Sequence, residues 1–446
     1  MKGKGAREAS SRRERIAWYF YDFGNSAYAA VVLLAVYSAY FKEGVVGGAR
    51  GSFLWGLAVG IAMLVVAFTT PVLGAIADVA GRKKSFLLFY TTACCLFTAS
   101  LFFVTPGAVA LGMALFILAE IGYRSAQVFY NSLLPEIASQ EEMGSISGKG
   151  WAFGNVGGIL CLVIVLGLIQ LIGGNFVTRV SLVVPAVFFA VSAAPLFFWV
   201  REKSAPQKLP RGRELLALPF RRIAETARAI RRFKEFGKFI LAFLIYNDGI
   251  LMTLSFAAIL GTVLFDLGQQ ELIIFMIMVQ VTSIPGAYLL GHLADRIGAK
   301  SALLVSLAIM IGAIVWMYFN TSVTMFYVIG GVAGFALTAV QSVSRSMVGM
   351  LAPEGRSAEF YGFFAVAGRT SSFIGPTIYG IVASRVALWL QSTGQAAVIA
   401  EQTGQRAAVL SIAAFLVLGT VLLLRVNERA GRAVAREGTE IEASAG

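Results

Sequence analysis

Two opposite charges stand four residues apart in an otherwise apolar run, Glu120 and Arg124 of GMALFILAEIGYRSAQVF, which starts at Gly112. On a helix that spacing puts them on one face, so they can pair with each other without any ligand. Alternatively, Arg124 offers its planar fork to an anionic group while Glu120 exchanges a proton. Asn247, Asp248, Gln280 and Arg369 interrupt apolar runs at similar depth, and Asn25, Tyr28 and Asn155 add shallower polar groups. Asp248 and Arg369 read either as a coupling or substrate-binding pair or as a structural charge pair, because an ionisable group in hydrocarbon is costly without a partner. Asp22 lies only about six residues inside its run, close to an interface, as do Lys149 and Arg345.

Other chemistries find no support. His292 is the single histidine, which argues against a histidine metal cluster or a Ser-His-Asp triad, and it reads as a loop residue. The run Gly144–Gly150 has the wrong spacing for a phosphate loop and no Ser or Thr after Lys149. Neither an enzyme, a cofactor nor an ATP-binding module is therefore expected. Energy would come from an ion or solute gradient, with proton coupling chemically open to Glu120 or Asp248.

What must position these residues is a set of membrane spans. Of the 446 residues 58% are hydrophobic and 14% charged, a balance that points to lipid as the solvent. Twelve stretches are long enough to cross hydrocarbon, near 17–42, 52–77, 82–104, 108–131, 147–172, 178–200, 236–265, 270–292, 300–319, 323–347, 357–385 and 405–425. The first is too long for a signal h-region and is expected to stay. Cys94, Cys95 and Cys161 fall within spans and read as packing residues. The net charge of +13 concentrates in the tail 1–16, in Arg82-Lys83-Lys84, in the linker 201–235 and in the tail 426–446. An even number of spans puts all of these on one side, which the positive-inside rule assigns to the cytoplasm. The basicity is thus topological and no nucleic-acid partner is expected. Within the linker, Leu215, Leu216, Phe220, Ile223, Ala227, Ile230 and Phe233 recur at helical spacing among arginines, as a stiff solvated linker or a helix lying on anionic lipid.

The chain also repeats itself. GAIADVAGRKK from Gly74 is echoed by GHLADRIGAKS from Gly291, so that Gly74, Ala77, Asp78 and Gly81 recur as Gly291, Ala294, Asp295 and Gly298. Pro135-Glu136 recurs as Pro353-Glu354, and Tyr21 and Gly24 recur as Tyr246 and Gly249. Two halves of six spans in the same orientation follow, 17–200 and 236–425. Gly74 and Gly291 would let helices approach closely, as would Gly56 with Gly60, Gly150 with Gly154 and Gly330 with Gly334. Asp78 and Asp295, at helix ends, can pair with loop cations or face a neighbouring helix N-terminus.

G-x-x-x-D-x-x-G-R-K-K between the second and third spans resembles the signature loop of the major facilitator superfamily. The resemblance implies an all-α membrane protein of two six-helix lobes that rock about a central site. It further implies a cytoplasmic gate, assigned here to Asp22, Gly74, Asp78, Gly81, Arg82, Lys83, Gly291, Asp295, Arg296 and Gly298. The first copy has Val79 where the second has Arg296, so Asp78 is left to pair with Arg82 or its lysine neighbours. Tyr21-Asp22-x-x-Asn25-Ser26-Ala27 is similar to the first helix of the fungal vacuolar effluxer family linked to autophagy and its bacterial relatives. That similarity implies export of amino acids. The chain is expected in the plasma membrane as a monomer, with a small-molecule substrate and membrane lipids as its partners. Alternatives within the same fold are a lipid or lysolipid translocator and a non-transporting membrane sensor.

Overall fold

Hydrocarbon offers no partner to a backbone N–H or C=O group, so each apolar run closes its hydrogen bonds within itself as a helix. The structure, a computed structural model, describes residues 11–46, 48–172, 174–203, 233–267, 269–353, 356–370 and 374–445. Most of the predicted linker helix lies outside them. The first half runs α1 (Arg12–Val46), α2 (Gly48–Ala80), α3 (Lys83–Ser100), α4 (Val109–Ser132), α5 (Met143–Ile172) and α6 (Val183–Trp199). The second runs α7 (Lys234–Phe265), α8 (Gln269–Ile297), α9 (Ala299–Phe319), α10 (Val323–Leu351), α11 (Ser357–Thr370), α12 (Ile374–Ser392) and α13 (Ala397–Leu424), followed by α14 (Glu428–Ala445).

Among the described residues ten helices are long and apolar enough to cross a membrane, and α2, bent by 42° at Pro71, makes an eleventh. A proline lacks the N–H that would continue the ladder, which accounts for the bend. The remaining expected span, 357–385, corresponds to α11 and α12 on either side of 371–373. Helix α1 carries two π-helical stretches, Ala29–Ala35 and Tyr40–Val46.

Helices α1 to α6 pack on one another, and so do α7 to α13. Two seams join the lobes: α5 against α8 and α10, and α11 against α2 and α4. The tail after Arg425 is not featureless, because α14 packs beneath α7 and α10 and buries Ala435. His292 belongs to α8 rather than to a loop, with Nδ1 2.7 Å from the carbonyl of Tyr288. Cβ atoms at Gly150 and Gly154 would strike Trp18 and Ser26, and at Gly330 and Gly334 Phe275 and Val279, so those pairs do line helix contacts. Gly56 and Gly60 do not, since among the described residues a Cβ at either would meet nothing within 4 Å.

A further repeat, too short to stand out in sequence, ties each lobe together on the face that carries the Arg82-Lys83-Lys84 turn, called here the basic face. Val200-Arg201-Glu202 follows α6 and Val426-Asn427-Glu428 follows α13. The Glu202 carboxylate accepts the N–H groups of Lys83 (2.5 Å) and Lys84 (3.4 Å), while Glu428 accepts those of Ala299 (3.3 Å) and Lys300 (2.8 Å). In return Lys84 Nζ donates to the carbonyls of Phe197 and Val200, and Lys300 Nζ to those of Leu424 and Val426. Glu14 and Glu235 complete the two copies by accepting the N–H groups of Arg201 and Asn427.

Each clasp thus sets a carboxylate on the orphan donors of one helix and an ammonium on the orphan acceptors of another. Glu202→Ala is expected to destabilise the protein by about 1 kcal/mol, the usual worth of a lost N-terminal cap. A thermal unfolding midpoint in detergent unchanged from wild type would show that the clasp contributes nothing. The clasps also correct the alignment of the halves. Because α3 starts at Lys83 and α9 at Ala299, the second loop is one residue shorter, and Ala299 takes the place of Lys83.

Candidate functional site

Both signature aspartates reach across to the opposite lobe. Asp78, at the end of α2, accepts the N–H groups of Ala358 (3.2 Å) and Glu359 (2.8 Å) in the first turn of α11. Asp295, at the end of α8, accepts those of Gly144 (2.7 Å) and Ser145 (2.8 Å) in the first turn of α5. Each carboxylate occupies the positive end of a helix dipole and satisfies two orphan donors. The helices come this close because their contacts are glycines: a Cβ on Gly74 would lie 2.7 Å from the Ala358 carbonyl, and one on Gly291 2.7 Å from that of Gly144. Gly81 and Gly298 take φ of +57° and +91°, turning the chain directly after each aspartate.

The cation beside Asp78 is Lys83, at 3.3 Å, rather than Arg82. Lys83 Nζ also meets Glu136 (2.6 Å) and donates to Ser357 Oγ (2.8 Å), so it touches both lobes while its side chain is 1% exposed. Arg82 and Arg296 are exposed and make no ion pair among the described residues, which separates them from the latch they were expected to join. Among the described residues Asp295 makes no ion pair, and Ala299 stands where the first half has Lys83.

Deeper along the same seams, Asp22 pairs with Arg345 of α10 at 3.1 Å. Arg345 further donates from Nε to Ser147 Oγ, from Nη2 to the Ser147 carbonyl and from Nη1 to Asn131. Its guanidinium lies over the rings of Trp18, Tyr130 and Trp151 at 4.8, 5.8 and 5.6 Å from their centroids. A buried guanidinium so enclosed gains both charge-assisted hydrogen bonds and cation–π attraction. This pair is the floor of the space between the lobes. Sequence reading placed Arg345 only near an interface; its setting in the serine-rich run QSVSRS was the available signal.

Above the floor lies a cavity of about 340 Å³ lined from both lobes. Of the candidate residues it gathers Asp22, Asn25, Arg124, Asn155 and Gln280, and it adds Gln127, Asn131, Trp151 and Gln341. The π-helical stretch of α1 supplies Ala29, Ala30 and Leu34 to its wall. Asn155 Nδ2 donates to Ser283 Oγ across the seam at 2.7 Å. Asn25 Oδ1 and Trp151 Nε1 are buried without a partner among the described residues, leaving an acceptor and a donor for an occupant.

Arg124 and Glu120 do form the intrahelical pair, Nε to Oε1 at 2.6 Å. Glu120 is fully buried behind the wall, whereas the Arg124 side chain, 26% exposed, faces the cavity over the Tyr123 ring. The pairing therefore keeps the guanidinium at the cavity wall, where its planar fork can meet an anionic group. Tyr28, stacked on Tyr123 at 4.6 Å, is buried next to Glu120 rather than lining the cavity.

Asp248 is apart from this cavity. It is 1% exposed, its neighbour is the backbone of Gly375 in α12, and among the described residues neither oxygen has a hydrogen bond of good geometry. The Arg369 side chain, its expected partner, lies outside the described residues. Asn247 instead links helices, donating to the Gly368 carbonyl and accepting from Gln341.

A family model described as vacuole effluxer Atg22 like matches residues 49–436. The chain is 27% identical over 444 residues to the uncharacterized MFS-type transporter YxiO of Bacillus subtilis (strain 168), covering 96% of this chain and 98% of that one. It is 23% identical over 398 residues to autophagy-related protein 22 of Yarrowia lipolytica, covering 69% and 67%. Among solved structures it is similar to a bacterial homologue of the iron transporter ferroportin in an outward-facing state, with a TM-score of 0.69 over 93% of this chain and 99% of that one. At 13% identity that likeness shows the fold alone. With the model matching most of the chain, two latched lobes and a polar space between them, the protein belongs to the Atg22-like vacuole effluxer family and is a transporter of the major facilitator type.

Proposed function

We propose that this protein exports a small polar solute, amino acids in particular, across the plasma membrane by alternating access, with the basic face in the cytoplasm. The carrying observation is the cavity itself: polar groups of both lobes converge on it, Arg124 is presented to it, and the Asp22–Arg345 floor closes it on the basic side. A carboxylate group suits the Arg124 fork, and an ammonium group suits the Asn25 oxygen and the Asp22 edge. Glu120 and Asp248 are buried carboxylates, which are the groups that can load and release a proton during a cycle. The orientation rests on the positive-inside bias of the short loops.

Counterflow of a labelled amino acid into proteoliposomes tests the reading. Arg124→Ala combined with Glu120→Gln, which leaves no orphan carboxylate, is expected to slow exchange by about tenfold or more, the equivalent of roughly 1.4 kcal/mol. Asp248→Asn is expected to spare counterflow but to abolish uptake driven by a pH gradient. Flux of lysolipid with no flux of any amino acid would overturn the substrate assignment, and wild-type exchange in the Arg124 variant would overturn its role.

A further inference from the structure

On the basic face of the second lobe, where α8 ends, α9 begins and α13 ends, lies a cavity of about 610 Å³ that shares no lining residue with the one between the lobes. Arg296, Lys300, Arg425, Arg429 and Arg432 line it against a single carboxylate, Glu428. That carboxylate is already engaged by the N–H groups of Ala299 and Lys300 and by Arg432. Lys300 is likewise spoken for by two carbonyls, whereas Arg296, Arg425 and Arg429 are exposed and have no ion pair among the described residues. The apolar side chains of Ile297 (45% exposed) and Leu424 (57% exposed) stand at the lip of the same cavity. Both are the last residues of spanning helices, so they sit where hydrocarbon gives way to headgroups.

We propose that this cavity is a binding site for an anionic phospholipid, whose phosphodiester is held by Arg296, Arg425 and Arg429 and whose acyl chains rest on Ile297 and Leu424. Three guanidinium groups match phosphate oxygens in geometry as well as charge. A basic recess at helix ends on the proposed cytoplasmic side also meets the leaflet in which anionic headgroups attract cations. The apolar lip favours a lipid over free phosphate, because free phosphate gains nothing from Ile297 and Leu424. The Glu428 clasp holds the recess open in shape, since it fixes α14 to the start of α9.

The test uses the full-length protein in a neutral detergent, titrated separately with dioctanoyl phosphatidylglycerol, dioctanoyl phosphatidylcholine and inorganic phosphate. Thermal midpoint and native mass spectrometry are the readouts. Phosphatidylglycerol is expected to raise the midpoint and stay bound, phosphatidylcholine and phosphate to do neither. Arg296→Gln/Arg425→Gln/Arg429→Gln is expected to weaken that response by about tenfold or more, in line with the loss of three charge-assisted contacts. Arg12→Gln/Arg13→Gln/Arg201→Gln, which removes three exposed charges elsewhere on the same face, is expected to leave it intact. Equal loss in both variants would reduce the effect to surface charge, and stabilisation by inorganic phosphate equal to that by phosphatidylglycerol would remove the lipid; either overturns the proposal. Arg425→Gln alone, at an exposed position, gives the same reading if the triple variant unfolds.

Discussion

Lys83→Met is expected to be the most damaging single change on the basic face, costing about 3–5 kcal/mol, as is usual when one partner is removed from a buried ion pair. The lysine's three donors are all used, on Asp78, Glu136 and Ser357, in a site where the two carboxylate side chains are 0% and 4% exposed. Methionine fills nearly the same volume, so packing is not what is lost. What remains is two carboxylates facing each other in a dry seam with no cation between them, together with the loss of the bond to Ser357 that spans the lobes. Neutralising the orphans separates charge from packing. Lys83→Met/Asp78→Asn/Glu136→Gln is expected to recover most of the thermal midpoint but not the transport rate, because the inter-lobe latch stays weakened. Lys83→Arg is expected to recover little, since a planar fork does not fit a site shaped for a compact ammonium. A midpoint for Lys83→Met within a degree or so of wild type would show that the cluster carries no net stability, as exposed ion pairs often do not.

The same cluster shows how far sequence reading reaches. Gly74, Asp78, Gly291 and Asp295 were legible because a local rule acts twice: a helix-end carboxylate next to a close-approach glycine recurs in each half. Their targets were not, since the donors are unadorned backbone N–H groups of Ala358, Glu359, Gly144 and Ser145, which no side-chain pattern announces. Arg345 and Asp22 are 323 residues apart, and only the closed arrangement of the lobes makes them partners. Lys83 was legible as one of three loop cations that could serve Asp78; that it is the one to do so follows from its place at the first residue of α3. The clasps share only two side chains, Val and Glu, in three positions, too few for a sequence pattern to single them out. Conversely, the four-residue spacing of Glu120 and Arg124 already makes them neighbours, and the structure adds the detail that only Arg124 faces the cavity. Depth in a span is readable from counting residues, whereas the face a residue turns to a partner helix depends on bends and π-helical turns such as those of α1 and α2.

Gly148→Leu is expected to abolish transport while leaving the protein folded. A Cβ at Gly148 would lie 2.3 Å from the carbonyl of Ala287 and 3.1 Å from the Cα of Gly291, so the obstacle is the backbone of α8 and cannot rotate away. Both neighbours belong to the opposite lobe, which means the clash exists only while the lobes are closed on the basic face. Overpacking a relaxed core costs about 1–3 kcal/mol. Here the upper end applies, and about 3 kcal/mol against one state shifts a two-state population more than a hundredfold toward the other. The closed arrangement that Asp22–Arg345 and the two aspartate latches hold together is thereby removed from the cycle, and a carrier with one accessible state cannot turn over. Gly167→Leu on the same helix is the matched control, because a Cβ there would meet nothing within 4 Å among the described residues of other elements. Spin labels at Glu141 and Arg436, exposed residues of opposite lobes whose surroundings meet through Arg436 and Gln140, report the result as a distance. The distance is expected to lengthen in Gly148→Leu and to match wild type in Gly167→Leu. A short distance with transport intact in Gly148→Leu would mean that the seam yields to a side chain, and that the glycines there serve something other than closure.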